Sequence, residues 1–315
     1  MPYIKEIRLY KPGDEHGIVR LFKEIFGREM TLEEWRWKYT RPNSNKVYAS
    51  LAADENGQIV AHYGGMPQHM VYNGKEIRAM AIGDVIVHPS FRGTKLFKKV
   101  AELLPIVSVQ DGFILGYGFP NERAMKLPEK LGLYEKVEDV WESAKEPQFK
   151  NDHVRLMYKM FPLSYDDSRI DTLWESLKND IKISIIRDRE YLKWRYKNHL
   201  LFTYELWGIK KRWERKLTGM VVLRRDGENL LLIDFLCPLR QLSAVFQKTE
   251  NYAFVSGFKN LKLWHPEYLN PKLNAMGFYV SKTATCIPRT THPACLKKDE
   301  IKGKFFYTMG DTDFL

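Results

Sequence analysis

Apolar positions along the chain switch between two spacings, and the switches mark where elements begin and end. Ile4 to Leu9 alternates as a short strand, whereas Ile18, Leu21, Phe22, Ile25 and Phe26 recur at helical spacing across residues 13–27. Gly27 suits the stop of that helix. Thr31, followed three residues later by Glu34, has capping-box spacing and predicts a second helix start. Residues 47–53 and 59–71, joined by Asp54-Glu55-Asn56-Gly57, read as a hairpin, and Asn73-Gly74 turns the chain into another strand over 77–87. A helix starts near Thr94, a strand covers 113–117, a short helix runs from Asn121 to Leu131, and a strand covers 134–140.

The later chain reads in the same terms. Helical spacing recurs at 171–177, 188–196 and 243–258, with strands at 204–209, 217–223, 229–236 and 261–264. Residues 141–166, charged and carrying Pro147 and Pro162, read as a connection, and Phe305-Phe306-Tyr307 as a closing strand.

The two halves resemble each other. Glu34-Trp35-Arg36-Trp37-Lys38-Tyr39 has a counterpart in Tyr191-Leu192-Lys193-Trp194-Arg195-Tyr196. Asp84-Val85-Ile86-Val87-His88-Pro89 aligns with Asp234-Phe235-Leu236-Cys237-Pro238, and Lys130-Leu131-Gly132-Leu133-Tyr134 with Ala275-Met276-Gly277-Phe278-Tyr279. Three matches in one order predict two related domains, 1–145 and 146–315, of an α/β class with mixed sheets.

Composition changes this picture little. Hydrophobic residues are 44% and charged residues 28%, an ordinary globular balance. No apolar run reaches the ~18 residues of a membrane span, so no membrane partner is expected. Cys237, Cys286 and Cys295 are too widely spaced for a disulfide framework, which points to a reducing cytoplasm. The net charge of +11 favours anionic partners. Its densest run, Lys210-Lys211-Arg212-Trp213-Glu214-Arg215-Lys216, reads as a solvated hairpin tip ahead of a nucleic-acid contact. Cys286, His292 and Cys295 lack zinc-site spacing, and Asp311 with Asp313 lacks the further ligands of a calcium loop, so no metal is expected.

The most informative stretch is Val87-His88-Pro89-Ser90-Phe91-Arg92-Gly93-Thr94-Lys95-Leu96-Phe97, where a strand meets a helix through a tight Arg-Gly turn. Unpaired amides and the helix dipole at such a start attract a pyrophosphate, and the spacing points to coenzyme A. That segment is similar to the (Q/R)-x-x-G-x-(G/A) acyl-CoA loop of the GNAT acyltransferase superfamily. Asn121-Glu122-Arg123-Ala124, with Glu129-Lys130-Leu131-Gly132-Leu133, resembles that family's second motif. The resemblance covers most of residues 1–145 and implies two GNAT-like domains in tandem, each a central mixed, mostly antiparallel sheet flanked by helices.

It implies an acyl-CoA-dependent N-acyltransferase using acetyl-CoA or another acyl-CoA, with a small-molecule or peptide amine as acceptor. The backbone of Ile86, Val87 and His88 would pair with the pantetheine arm. Arg92, Gly93, Thr94, Lys95, Leu96 and Phe97 would hold the pyrophosphate, and Asn121 would lie beside the thioester. Three departures stand out: Lys95 and Phe97 replace small residues of the loop, and Pro128 occupies the family's proton-donating tyrosine position. Tyr117, Tyr134 or water would then serve as acid. Asp84, inside an apolar strand, and Glu122, at a helix start, are the candidate bases; an ion pair with Arg78 is the structural alternative for Asp84. His62, His69 and His88 read as structural, and the Trp35, Trp37 and Tyr39 cluster as core. Pro238-Leu239-Arg240-Gln241-Leu242-Ser243 has no glycine, so the second half is expected to bind no acyl-CoA. A catalytically inactive binding module and an aminoacyl-tRNA-dependent transferase are the competing readings.

Overall fold

The computed structural model describes residues 3–40, 46–93, 95–292 and 296–312. Strand β1 (Ile4–Leu9) is followed by helices α1 (Glu15–Phe26) and α2 (Leu32–Tyr39). Gly27 closes α1 at a left-handed φ of 68°, and the Thr31 hydroxyl caps α2 by accepting from the Glu34 amide at 3.0 Å. On α1, Ile18, Leu21 and Phe22 are buried, but Phe26 faces outward, one position past the apolar stripe.

Strands β2 (Tyr48–Asp54), β3 (Ile59–Tyr72) and β4 (Lys75–Val87) come next. A 3₁₀ turn over Pro89–Phe91 leads to α3 (Leu96–Gln110), β5 (Phe113–Tyr117), α4 (Glu122–Lys130) and β6 (Tyr134–Lys145). The connection expected over 141–166 is instead the end of β6, helix α5 (His153–Met157) and strand β7 (Tyr158–Pro162). Charge and proline hid these elements, because Pro162 sits at a strand end where no ladder bond is lost.

The chain continues through α6 (Arg169–Leu177), β8 (Ile183–Ile185) and α7 (Arg189–Leu192), which runs into a π-helical turn over Lys193–Lys197. Strands β9 (Glu205–Lys211), β10 (Gly219–Asp226) and β11 (Asn229–Leu236) precede α8 (Leu242–Val255), β12 (Asn260–His265), α9 (Asn270–Ala275), β13 (Tyr279–Thr290) and α10 (Lys298–Ile301). Phe305-Phe306-Tyr307 forms no strand; Phe305 makes one isolated bridge with Ile183, and Met309–Asp311 is a 3₁₀ turn.

Two compact units divide the chain. One comprises 1–69, 77–138 and 285–302; the other comprises 70–76, 139–284 and 303–315. In the first, strands run in the order β1-β2-β3-β4-β5-β13-β6. Its core gathers Tyr48, Tyr63, Met80, Phe91, Leu96, Leu104 and Phe113. In the second the order is β6-β12-β11-β10-β9-β7, over a core of Leu223, Leu232, Phe235, Phe246, Leu263 and Phe278. Each unit has one parallel pair, β4/β5 and β11/β12, amid antiparallel neighbours. In each, a 3₁₀ turn and a long helix bridge that parallel pair.

Candidate active site

The parallel ladder between β4 and β5 runs from Arg78↔Phe113 to Ala81↔Tyr117 and stops. Strand β4 continues to Val87 while β5 ends at Tyr117, so among the described residues Ile82 to Val87 has no ladder partner on that edge. Gly118 sits at the parting point: a Cβ there would lie 2.9 Å from the Ile82 carbonyl oxygen. An unladdered edge of this kind accepts an added strand through its amides. From Ile82 to Val87 it extends roughly 17 Å at normal strand rise.

Backbone bonding decides which residues face that edge. His88 N–H donates to the Val60 carbonyl of β3 (2.8 Å), and its own carbonyl accepts from Phe91 N–H (2.9 Å). Both backbone groups of His88 are thus engaged within the protein, its N–H with β3 and its carbonyl with the following turn. Successive amides alternate between the two edges of a strand. Ile86 then faces β3 with His88, and Val87 and Val85 face the open edge. Val85 was missed because nothing in its residue type records the pairing at Val60. The His88 ring is also engaged, with Nε2 on Glu24 (2.7 Å) and Nδ1 accepting from Ser90 N–H (3.3 Å).

The loop after β4 has the form its sequence suggested. Gly93 adopts φ 81° with open space where a Cβ would be. Lys95, at the position where the family pattern has glycine, adopts φ 61° as the α3 N-cap and offers no side-chain cap. The first intrahelical bond of α3 runs from Lys99 N–H to Lys95 O (3.3 Å), leaving the Leu96, Phe97 and Lys98 amides without intrahelical acceptors. Arg92 Nε donates to Val87 O at 3.3 Å, and Lys95, Lys98 and Lys99 add charge nearby. Leu96 is buried, and the Phe97 ring lies 6.5 Å from that of Tyr63, packed toward the core. Thr94 lies outside the described residues, as do Cys295 and Asp313.

Asp84 is held in an ion pair, the structural alternative its position allowed, with Lys38 as the cation. It adopts φ 46° within β4. Its carboxylate accepts from Lys38 Nζ (2.8 Å) and Tyr39 Oη (2.7 Å), and its carbonyl accepts from His62 Nδ1 (2.7 Å). Burial pushes this carboxyl up, but Lys38 and the Tyr39 hydroxyl outweigh burial and hold it below the usual carboxylate range. A carboxylate so stabilised is a weak base. Arg78, the partner expected from sequence, lies over the Phe113 ring and donates to the Asp111 carbonyl instead. The His62 imidazole is fully buried and held neutral by that burial, with Nε2 unpaired.

The remaining candidates are spread out. Tyr134 Oη donates to Tyr63 Oη (2.9 Å); burial first, then the neighbouring phenol, pushes Tyr134 well above its ordinary pKa. Tyr63 shares a small apolar crevice with Met80, Ile82, Leu104 and Leu115, so this hydroxyl pair lies near the parting of β4 and β5. Tyr117 occupies the last ladder position and packs edge-on to Phe119. Asn121 caps α4 through Oδ1 to Ala124 N–H (2.9 Å) and bridges to Thr285; Glu122 is exposed at the helix start. Pro128 is buried inside α4. Among the described residues no group of three or more His, Cys, Asp or Glu side chains could hold a metal. No described helix is long and apolar enough to cross a membrane.

A parted β4/β5 pair, a glycine turn and an open helix start are features of a GNAT-type fold. The comparisons agree: residues 6–132 match the family model described as an acetyltransferase (GNAT) domain. A probable N-acyltransferase from Enterococcus faecalis V583 superimposes with a TM-score of 0.69 at 13% identity, covering 90% of this chain and 72% of that one. A GCN5-related N-acetyltransferase from Kribbella flavida gives 0.66 at 11%, over 90% and 70%. Saccharomyces cerevisiae N-myristoyltransferase with bound myristoyl-CoA gives 0.61 at 10%, over 92% and 83%. At these identities the likeness is one of fold. No curated protein sequence matches the chain.

Proposed function

We propose that the protein is an acyl-CoA-dependent N-acyltransferase that transfers an acetyl group to a primary amine. The observation that carries this reading is the unladdered β4 edge leading directly to the Gly93 turn and the open α3 amides. In this reading Val85 and Val87 pair with the pantetheine arm. The first turn of α3, with Arg92 and Lys95, holds the pyrophosphate. The thioester then lies near Ile82 and Gly118. The amine attacks the carbonyl directly, the C–S bond breaks, and the leaving thiolate takes a proton. The Tyr134–Tyr63 pair, protonated at neutral pH and close to Ile82, is the proton source. Glu122 is the base in preference to Asp84, which Lys38 and Tyr39 already hold.

The reading extends to a tandem architecture with domains 1–145 and 146–315. Its support is a shared latch: Tyr39 Oη donates to Asp84 and Tyr196 Oη to Asp234, both at 2.7 Å, at positions the sequence repeat pairs. A cation completes each latch, Lys38 in one and Arg187 in the other. The second half lacks the glycine loop and serves as scaffold.

Titration with acetyl-CoA by calorimetry tests the cofactor site, with Arg92→Glu as control. Saturable binding abolished by the substitution is the expected result; absence of binding to the native protein removes the acyl-CoA reading. Pro128 and the engaged Asp84 favour a second reading, a module that binds cofactor without turnover. Release of free thiol in the presence of an amine panel separates the two.

A further inference from the structure

The basic run Lys210–Lys216 forms the tip between β9 and β10, and its charges are not equally neutralised. Glu214 pairs with Lys211 (2.9 Å) and Lys216 (4.0 Å). Arg212 instead fastens the tip to α5: its N–H donates to Met157 O (2.9 Å) and its Nε to Leu156 O (2.7 Å). Arg155, on α5, lies over the Phe149 ring (5.5 Å) and donates to Asn151 Oδ1 (2.7 Å). On α8, Gln247 Nε2 donates to Asp152 Oδ1 (2.7 Å), and the neighbouring Lys248 feels the charges of Arg212 and Arg155. Asp152 also caps α5 through the Val154 and Arg155 amides.

Arg155, Arg212 and Lys248 thus converge from three elements, and among the described residues none of the three forms an ion pair. Burial, then Arg212 and Arg155, hold the Lys248 ammonium below its ordinary pKa. The rim is apolar and exposed: Leu156 at 67%, Trp213 at 66% and Val255 at 73%. Phe149 and Phe254, also exposed, lie with ring centroids 6.0 Å apart and planes tilted by 41°.

We propose that this face, formed by α5, the β9–β10 tip and the end of α8, docks on an anionic lipid surface. Arg155, Arg212 and Lys248 meet headgroup phosphates while Leu156, Trp213 and Val255 enter the headgroup boundary. Unneutralised cations rimmed by exposed aliphatic and indole side chains match that boundary in both charge and polarity. A single-stranded nucleic acid would use the aromatics but gain nothing from Leu156 and Val255. Docking of this kind needs no spanning segment.

The test is co-sedimentation with phosphatidylcholine vesicles prepared with and without phosphatidylglycerol, at low and high salt. Binding only to the anionic vesicles, weakened by salt, is expected. Arg155→Gln with Arg212→Gln should weaken it roughly 25-fold, at about fivefold per cation removed. Because Arg212 also anchors the hairpin tip, Trp213→Ser serves as an independent variant and should weaken binding with unchanged thermal unfolding. No vesicle binding, equal binding to both compositions, or variants that bind like the native protein would overturn the proposal. So would single-stranded RNA binding lost in the same variants while vesicles fail to bind.

Discussion

Lys95 holds a left-handed backbone at φ 61°, a conformation that costs a side-chain-bearing residue about 1 kcal/mol relative to glycine. Lys95→Gly should therefore raise the urea midpoint, corresponding to about 1 kcal/mol, without disturbing α3. At Asp84 the sign is opposite. Removing its charge with Asp84→Asn takes away the carboxylate that Lys38, its side chain 8% exposed, pairs with. Loss of about 3 kcal/mol in denaturant unfolding is expected. Since Asp84's folded pKa is depressed, its stabilisation is present above the unfolded value near 4 and fades as pH falls below it. The motif at Arg92–Phe97 was legible in sequence because a turn-forming glycine and a helix start are local features. The fate of Asp84 was not, because Lys38 and Tyr39 come from a helix more than forty positions earlier.

Among the elements, the parting of β4 and β5 matters most, and Gly118 guards it. A methyl at Gly118 would press on the Ile82 carbonyl, a backbone atom that cannot rotate away. Gly118→Ala is expected to lower stability by about 1–3 kcal/mol, measured by thermal unfolding. It should also weaken acetyl-CoA binding in calorimetry, whereas Gly93→Ala, facing open space, carries only its φ penalty. Hydrophobic spacing located most strands and helices to within a few residues; β5 and β11 agree at both ends. It failed at β7, β8 and β13, which are short, proline-bearing or polar and owe their form to neighbouring strands rather than to their own pattern.

For the folded molecule as a whole, the buried Arg187 cluster sets a pH dependence. Arg187 Nε meets Asp234 (2.8 Å) and Nη2 meets Asp311 (2.7 Å), so one cation serves two carboxylates. Burial pushes Asp311 up to about 6; Arg187 opposes the rise and Asp234 adds to it. A raised carboxyl binds its proton more tightly folded than unfolded, so its contribution is favourable at low pH. That contribution is lost as pH rises from about 4 through about 6. Asp311→Asn should therefore gain stability relative to the native protein across that interval, measured by denaturant titration at a series of pH values. A difference constant with pH would rule out this linkage. The sequence repeat pairs Asp234 with Asp84, yet only the folded chain reveals that Asp234 shares its cation with a residue near position 311.

By itself the sequence determined what depends on neighbours along the chain: most of the strands and helices, the cap at Thr31, the helix start at Asn121, and the glycine turn before α3. Those follow from periodicity and backbone freedom, which act over a few residues. Tertiary structure alone decided which edge of β4 stays open, that His88 N–H turns to Val60, and that Asp84 is latched while Tyr134 meets Tyr63. It also decided that Arg155, Arg212 and Lys248 share one surface. Each of these depends on hydrogen bonds and packing between distant segments, and residue type at one position does not specify its partner at another.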